Sequence, residues 1–241
     1  MSVSDLLPLI AMKNILLAVL VLFASIAYAQ TDCKPYIPVS EGTTWEMTSY
    51  SAKGKVSGKT SYELVKKVES GNGTTFTIAS TSYDNKGKES FSSEFDAFCI
   101  DGKFKFDMAF KMDGATMASY ENMDIDVDAT EFEIPPMEAA AGTELKDGSL
   151  TVNVGSGGMS MFKMVVNVTD RKVEGRESMK TTAGTFDCIR ISQRSSTKMM
   201  VKIEASSKEW YAEEVGMVRS ESYNKKDKLT GYSELTKLDR K

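Results

Sequence analysis

Aspartates at alternating positions form the most regular array of chemically active side chains in this sequence. Asp124, Asp126 and Asp128 are spaced like the first ligands of a calcium-binding loop. Such a loop needs glycine at its sixth position and glutamate at its twelfth, where this chain has Ala129 and Pro135. A spacing of two is better explained by the solvent face of a β-strand. We therefore expect no calcium site here.

Two further motifs resemble ligand sites but lack the residues that such sites need. The run G-S-G-G at 155–158 is rich in glycine like a phosphate-binding loop, but neither a Gly-Lys-Ser/Thr ending nor a predicted helix follows it. We interpret this run as a hairpin turn. The run M-S-M-F-K-M at 159–164 offers thioethers, the soft ligands that copper(I) prefers. Because apolar residues interrupt it, we interpret it as a buried strand instead.

The chain contains no histidine among its 241 residues. This excludes Ser-His-Asp and Cys-His catalysis and zinc sites with histidine ligands. Acid–base chemistry would depend on carboxylates or lysine, and the spacing of Glu209 with Glu213 or Glu214 does not place them across a cleft. We predict a non-enzymatic protein with no catalytic residue, metal or cofactor, and keep a carboxylate-dependent enzyme as a third hypothesis.

The balance of charge argues against nucleic acid as a partner. The chain has 30 Lys and Arg residues against 34 Asp and Glu residues, and no basic stripe. Its hydrophobic content of 41% is that of an ordinary globular protein. We predict one globular β-domain over residues 30–241 that does not bind nucleic acid.

The first 29 residues have the pattern of an upstream extension followed by a cleavable signal peptide. Met12-Lys13-Asn14 gives a positive start, residues 15–27 are almost wholly apolar, and Ala27-Tyr28-Ala29 fits the cleavage pattern before Gln30. The apolar run is too short for a comfortable membrane span, although an uncleaved anchor is the alternative. We therefore predict export to the periplasm or the exterior, and a mature chain without a transmembrane segment.

Three cysteines follow the predicted cleavage site, so at most one intramolecular disulfide forms. We favour a bond between Cys33 and Cys99, because it would tether the mature N-terminus to a strand end. A bond between Cys99 and Cys188 is the alternative. Cys33 is not at the cleavage junction, so we predict no lipidation.

Strict alternation of apolar and polar residues predicts β-strands throughout the mature chain. It is clearest in K-F-K-F-D-M-A-F-K-M at 103–112 and recurs at 123–128, 162–168 and 199–204. Turn dipeptides such as Asn-Gly and Asp-Gly recur between these runs. The spacing predicts an all-β antiparallel meander of about ten strands. Such a meander hides its apolar face by curling into a barrel, by pairing two sheets or by folding over a lid.

A motif Ser-Tyr-x-x-Lys-Gly/Asp-Lys occurs three times, at 49–55, 82–88 and 222–228. It could be a repeated binding element or one turn geometry used three times. Each copy follows one predicted strand and precedes another, and a short hairpin loop needs a residue with left-handed backbone conformation. We predict that Gly54, Gly87 and Asp227 take that conformation in three similar hairpins.

The predicted apolar strand faces are rich in methionine and phenylalanine, with 15 and 11 residues in the chain. Methionine fills irregular space, so the faces predict either a loosely specified core or a concave surface for a lipid-like ligand. The candidate lining of that surface is Trp45, Phe104, Phe106, Met108, Phe110, Phe162, Met164 and Trp210.

Several motifs resemble those of the TapB-like family. They are G-T-T-W-E at 42–46, R-K-V-E-G-x-E at 171–177, T-T-A-G-T-F-D-C-I-R-I at 181–191, E-W-Y-A at 209–212 and V-G-M-V-R-S-E at 215–221. The family is an exported bacterial domain of unknown function that is common in Bacteroidetes. The resemblance implies a large curved antiparallel meander that forms an open or partly closed barrel, like lipoprotein-carrier domains. It implies no catalytic residues.

Two hypotheses about function result. The first is an exported non-enzymatic β-domain that binds an apolar or lipid-like molecule on its concave face. The second is a structural or protein-interaction module of the cell envelope, with a filled core and an envelope protein as partner. An internal cavity would favour the first hypothesis, and an exposed apolar patch or unpaired strand edge would favour the second.

Overall fold

Thirteen antiparallel strands and no helix make up the described part of the chain, residues 33–107, 124–157, 159–198 and 201–241 of a computed structural model. The strands are β1 (Thr44–Ser51), β2 (Val56–Ser70), β3 (Gly73–Asp84), β4 (Glu89–Ile100), β5 (Lys103–Asp107), β6 (Asp124–Ala129), β7 (Glu131–Ile134), β8 (Gly148–Ser156), β9 (Met159–Thr181), β10 (Gly184–Lys198), β11 (Lys202–Ala212), β12 (Gly216–Asn224) and β13 (Leu229–Asp239). The predicted fold class is confirmed. The predicted count of about ten strands is too low, because short strands such as β6 and β7 lack a turn signal between them.

All thirteen strands belong to one sheet, in the order β6-β8-β9-β10-β11-β12-β13-β1-β2-β3-β4-β5-β7. The strands at its two ends, β6 and β7, are separated in sequence only by Thr130. One residue joins the two ends, so the sheet must curl until they approach each other. The result is a nearly closed, barrel-like sheet, as the resemblance implied.

A buried arginine links strand β9 to β7 at the far end of the sheet. Arg171 of β9 is only 2% exposed. Its Nη2 donates to the carbonyl of Glu133 in β7 at 2.8 Å, and its Nη1 donates to the carbonyl of Lys146 at 2.7 Å. Its guanidinium carbon lies 3.5 Å from the centroid of the Phe132 ring. These contacts replace the water that the cation loses, since two carbonyls and an aromatic face all attract positive charge.

The inside of the barrel is filled by one apolar core. Strand β8 shows the pattern most simply, because Leu150, Val152 and Val154 are buried and the residues between them are more exposed. The core continues through strands on the opposite side of the barrel, with Leu64, Ile78 and other aliphatic side chains fully buried. Burial of alternate residues is what period-two patterning predicts for a sheet with one wet face.

The three repeated motifs are three hairpins of the same geometry, which confirms the prediction. Gly54, Gly87 and Asp227 have φ angles of 77°, 80° and 55°. The amide of each donates to the carbonyl three residues earlier, at 2.9, 3.1 and 2.9 Å. The repeat therefore encodes a turn, which glycine adopts without strain and aspartate tolerates.

Residues 33–37, which we call the N-terminal strap, bring Pro35, Tyr36 and Ile37 into the barrel, while Lys34 stays exposed. A disulfide joins Cys33 to Cys99 of β4, with 5.7 Å between their Cα atoms. The Glu214 amide donates to the carbonyl of Pro35 at 2.7 Å. The free thiol of Cys188 is buried, and burial raises its pKa to about 12, so it stays protonated.

The predicted signal peptide lies outside the described residues, and its cleavage stays a prediction. Within the described residues, no helix is both long and apolar enough to span a membrane.

Replacement of Arg171 tests the closure of the sheet. We expect Arg171→Met to lower the free energy of unfolding by about 3–5 kcal/mol, because two buried carbonyls lose their donor. Arg171→Lys should give a smaller loss, since it keeps the charge but not the two-pronged donor. The matched control is Arg194→Met on neighbouring β10, whose side chain is 75% exposed. Urea unfolding in which Arg171→Met and the control are equally stable would contradict this role of Arg171.

Removal of the disulfide tests the attachment of the strap. We expect Cys33→Ser/Cys99→Ser to lower the free energy of unfolding by about 4 kcal/mol, because the bond closes a loop of 66 residues. For a domain of this size, that loss corresponds to a fall in Tm of roughly 10 °C. Calorimetry of the wild type with and without reductant supplies the control. A Tm of the double variant equal to that of the wild type would contradict a stabilising role of the disulfide.

Candidate functional site

An aromatic cavity lies between the N-terminal strap and the inner face of the sheet. Three of the predicted lining residues, Trp45, Phe104 and Phe106, meet at this cavity. The other residues that line it are Tyr36, Ile37, Met47, Tyr62, Phe95, Ala97, Tyr211, Gly216 and Met217. The free volume is only about 30 Å³. Since one water needs about 10–15 Å³ by this measure, the cavity has room for about two water molecules.

The strap supplies one wall of the aromatic cavity. The ring of Tyr36 lies 5.9 Å from that of Phe104 and 6.2 Å from that of Tyr211, distances typical of favourable tilted and edge-on contacts. Its hydroxyl donates to the carbonyl of Pro135 at 2.8 Å. Gly216 has a φ of 110°, and a Cβ there would lie 3.2 Å from the Tyr36 carbonyl oxygen. Gly216 therefore provides the close approach that the strap requires.

Two of the other predicted lining residues, Phe162 and Met164, do not reach this cavity. Phe162 and Met164 pair with the inward-facing Val154 and Val152, so they face the core from β9, at a different part of the sheet. Met108 and Phe110 lie outside the described residues. The eight residues are therefore not one cluster among those that the structure describes.

Of the two adjacent aromatic residues of β11, Tyr211 lines the cavity and Trp210 does not. Tyr211 pairs with the fully buried Ile189 and lines the cavity. Trp210 pairs with Arg190 on the other face, where its Nε1 donates to Glu177 at 2.6 Å. The sequence could not distinguish the two, since both are large aromatics beside a β-bulge.

A buried polar network forms the boundary between the aromatic cavity and Arg171. Gln193 accepts from Arg171 Nε at 3.4 Å and donates to Glu209 at 2.9 Å. The other Glu209 oxygen accepts from the Tyr211 hydroxyl at 2.7 Å. Burial raises the pKa of Tyr211 well above its ordinary value, and the Glu209 carboxylate raises it further. Tyr211 therefore stays a hydrogen-bond donor, and both Glu209 oxygens accept from neutral side chains.

Sequence reasoning missed Gln193 and Arg171 as members of this network. A signal was present for Gln193, which continues the inward parity of Ile189 and Ile191. A polar residue at a core position predicts a buried hydrogen-bonded partner. No such signal marked Arg171, because its acceptors are main-chain carbonyls that any sequence could supply.

The aspartate array is confirmed as the exposed side of a strand. Asp124, Asp126 and Asp128 are exposed on β6, and Asn153 donates to Asp126 at 3.1 Å. No three His, Cys, Asp or Glu side chains lie together as a metal site in the part of the chain that the structure describes.

One end of the barrel exposes large apolar side chains. Met159, Met161, Val201 and Ile203, which we call the apolar end, are between 58% and 75% exposed. The prediction that the run at 159–164 is a buried strand is therefore wrong for Met159 and Met161. The pairing of β9 with β10 starts at Val165. The first residues of β9 therefore extend past the end of β10 and are not covered by it.

Two crystal structures share this fold along their whole length. One is a candidate lipoprotein from Parabacteroides distasonis ATCC 8503, with a TM-score of 0.77 and 25% identity. The other is a candidate exported protein with a YmcC-like fold from Bacteroides fragilis NCTC 9343, with a TM-score of 0.76 and 26% identity. Each match covers 86% of this chain and 100% of the other. Both sources are Bacteroidetes, as the resemblance implied.

No curated protein matches the chain. A family model described as DUF3108-like, rather than TapB-like, matches residues 40–235. That range includes β1 to β12 in full and most of β13. The protein belongs to the DUF3108-like family.

Proposed function

We propose that the protein is an exported, non-enzymatic module of the cell envelope that has a filled interior and contacts a protein partner through its surface. The observation that carries this proposal is the size of the aromatic cavity. Its free volume of about 30 Å³ compares with roughly 300–1,000 Å³ for pockets that hold small molecules. A lipid does not fit in that space.

The strap explains why the interior is full. Tyr36 and Ile37 occupy the place that an apolar ligand would take, and both are more than 90% buried. The disulfide at Cys33 and the ion pair of Lys34 with Glu213, at 3.4 Å, hold the strap at its start. A ligand would have to displace two well-packed apolar side chains that are covalently held nearby. The strap thus acts as part of the core.

The apolar end supplies the contact surface. Several exposed large apolar side chains at one end of a folded protein commonly mark an interaction site. Methionine is enriched at protein interfaces because its flexible side chain adapts to different partners. The lysines Lys163, Lys198 and Lys202 are exposed beside this end and would form a polar rim. An envelope protein is the partner that fits an exported chain, and the names of the two similar structures support export.

The apolar-ligand hypothesis has one observation in its favour, which is the meeting of Trp45, Phe104 and Phe106 at one cavity. In this second candidate function, the strap leaves the barrel and a ligand replaces Tyr36 and Ile37. It requires an open state, whereas the interaction module requires only the closed state.

A photo-reactive amino acid at the apolar end tests the proposed function. In cells that export the protein, replacement of Met161 or Ile203 by such a residue should give a discrete cross-linked protein. Replacement of Val56 or Val68 is the matched control, because these apolar residues of β2 are 43% and 44% exposed elsewhere on the surface. We expect no discrete product from the control positions.

A second variant tests whether the cross-linked product depends on the apolar side chains of this end. With the probe at Met161, addition of Met159→Ser and Ile203→Ser should reduce the cross-linked product roughly tenfold, since about 1.4 kcal/mol of lost apolar contact has that effect. Thermal unfolding should be unchanged. Equal cross-linking at the apolar end and at the β2 controls, or none at either, would contradict a contact at this end.

A further inference from the structure

A polar groove of about 800 Å³ crosses the outer face of β9, β10, β11 and β12. Strand pairing places Thr169, Arg194, Ser206 and Tyr223 in one row on that face, one residue from each strand. With about 4.8 Å between neighbouring strands, the row is roughly 14 Å long. Neither the barrel interior nor the apolar end includes these residues.

A β-bulge in β9 explains why the outer face of the sheet is concave at the polar groove. Asp170 of β9 has a left-handed backbone with a φ of 52°, and the pairing of β9 with β10 shifts register opposite it. A β-bulge bends its strand and increases the local twist. The bulge turns Arg171 into the barrel and leaves Asp170 outside, at one wall of the groove. The opposite wall is the third repeated hairpin, through Asn224, Lys225 and Asp227.

Hydroxyl groups dominate the floor of the groove. The outward-facing ones are Thr169, Ser192, Ser196 and Ser206. A hydroxyl both donates and accepts hydrogen bonds, so this floor is complementary to a ligand that carries hydroxyls of its own. Tyr223 adds an aromatic ring on the same face, against which the C–H face of a sugar ring can stack.

The groove is lined by nearly equal numbers of opposite charges, with four cations and three carboxylates. Arg194 pairs with Asp170 at 3.6 Å, and Lys202 pairs with Glu204 at 2.6 Å. The Lys208 ammonium lies 5.5 Å from the centroid of the Tyr223 ring. A nucleic acid needs an excess of cations along its path, and the carboxylates of this groove oppose one. A protein partner needs an apolar centre, which a floor of serine, threonine and charged side chains does not offer.

We propose that the polar groove binds an oligosaccharide, laid across β9 to β12 and contacted by Arg194, Ser206, Lys208 and Tyr223. This inference goes beyond the proposed function, because it assigns a second surface and a ligand of another class. The small serine side chains leave width for a chain of sugar rings, and the long cationic side chains donate to its hydroxyls and ring oxygens.

The test is binding of the exported, matured protein to an array of neutral and acidic bacterial oligosaccharides, followed by calorimetry with the strongest one. We expect binding to at least one of them. Ser206→Phe, which fills the middle of the row, should weaken binding by at least about tenfold, or roughly 1.4 kcal/mol. Arg194→Ala/Lys208→Ala should weaken it as well, without a loss of thermal stability.

The matched control is Ser61→Phe, which adds the same ring at an equally half-buried serine on β2. It should bind like the wild type. A variant of the apolar end, Met161→Ser/Ile203→Ser, should also bind like the wild type, so the two proposals fail separately. Absence of binding to any oligosaccharide of the array, equal binding by Ser206→Phe, or a groove that cross-links to a protein instead would overturn the assignment.

Discussion

The buried guanidinium of Arg171 is the interaction on which the closure of this protein depends. A single sheet of thirteen strands has two ends, and the chain crosses from one to the other at Thr130 without a turn. The covalent link brings β6 and β7 together, and Arg171 of β9 then binds the main chain of Glu133 in β7 across the seam, while its other arm binds Lys146 beside its own strand. A buried cation is costly unless every donor finds an acceptor. Because the Glu133 carbonyl and the Phe132 ring reach Arg171 only when the ends meet, the arginine makes closure specific, and the apolar core forms inside the closed sheet.

Closure also determines what the interior can do. The network of Gln193, Glu209 and Tyr211 extends from Arg171 to the aromatic cavity. Its polar groups are engaged in hydrogen bonds that link neighbouring strands. The aromatic residues around the cavity pack against Tyr36 of the strap. The strap that these aromatic side chains enclose explains their concentration without a ligand. In both proposals the function therefore lies on the surface. One surface is the apolar end, where β9 extends beyond β10, and the other is the polar groove, where a bulge bends the sheet.

Local features of the sequence predicted the fold well, because strands and hairpins are encoded by neighbouring residues. The positive φ angles at Gly54, Gly87 and Asp227 are the clearest case. The site was harder to predict, because it depends on contacts between distant residues. Alternation places Phe104 and Phe106 on the inner face but does not show that the strap fills the space beside them. It also cannot show that Met161 lies beyond the end of β10, since exposure depends on the length of another strand. Trp210 and Tyr211 are adjacent, and only the register reveals which one faces inward.

Native mass spectrometry tests whether the interior of the barrel is closed and full. The chain would be exported into a bacterial periplasm, purified without detergent and compared with the same sample after denaturation. If the interior is full, both states should show the bare mass of the matured polypeptide, with the Cys33–Cys99 bond intact. A reproducible additional mass of lipid size, lost on denaturation, would contradict a full interior. That result would show that the strap leaves the barrel, and it would move the functional site to the cavity lined by Trp45, Phe104 and Phe106.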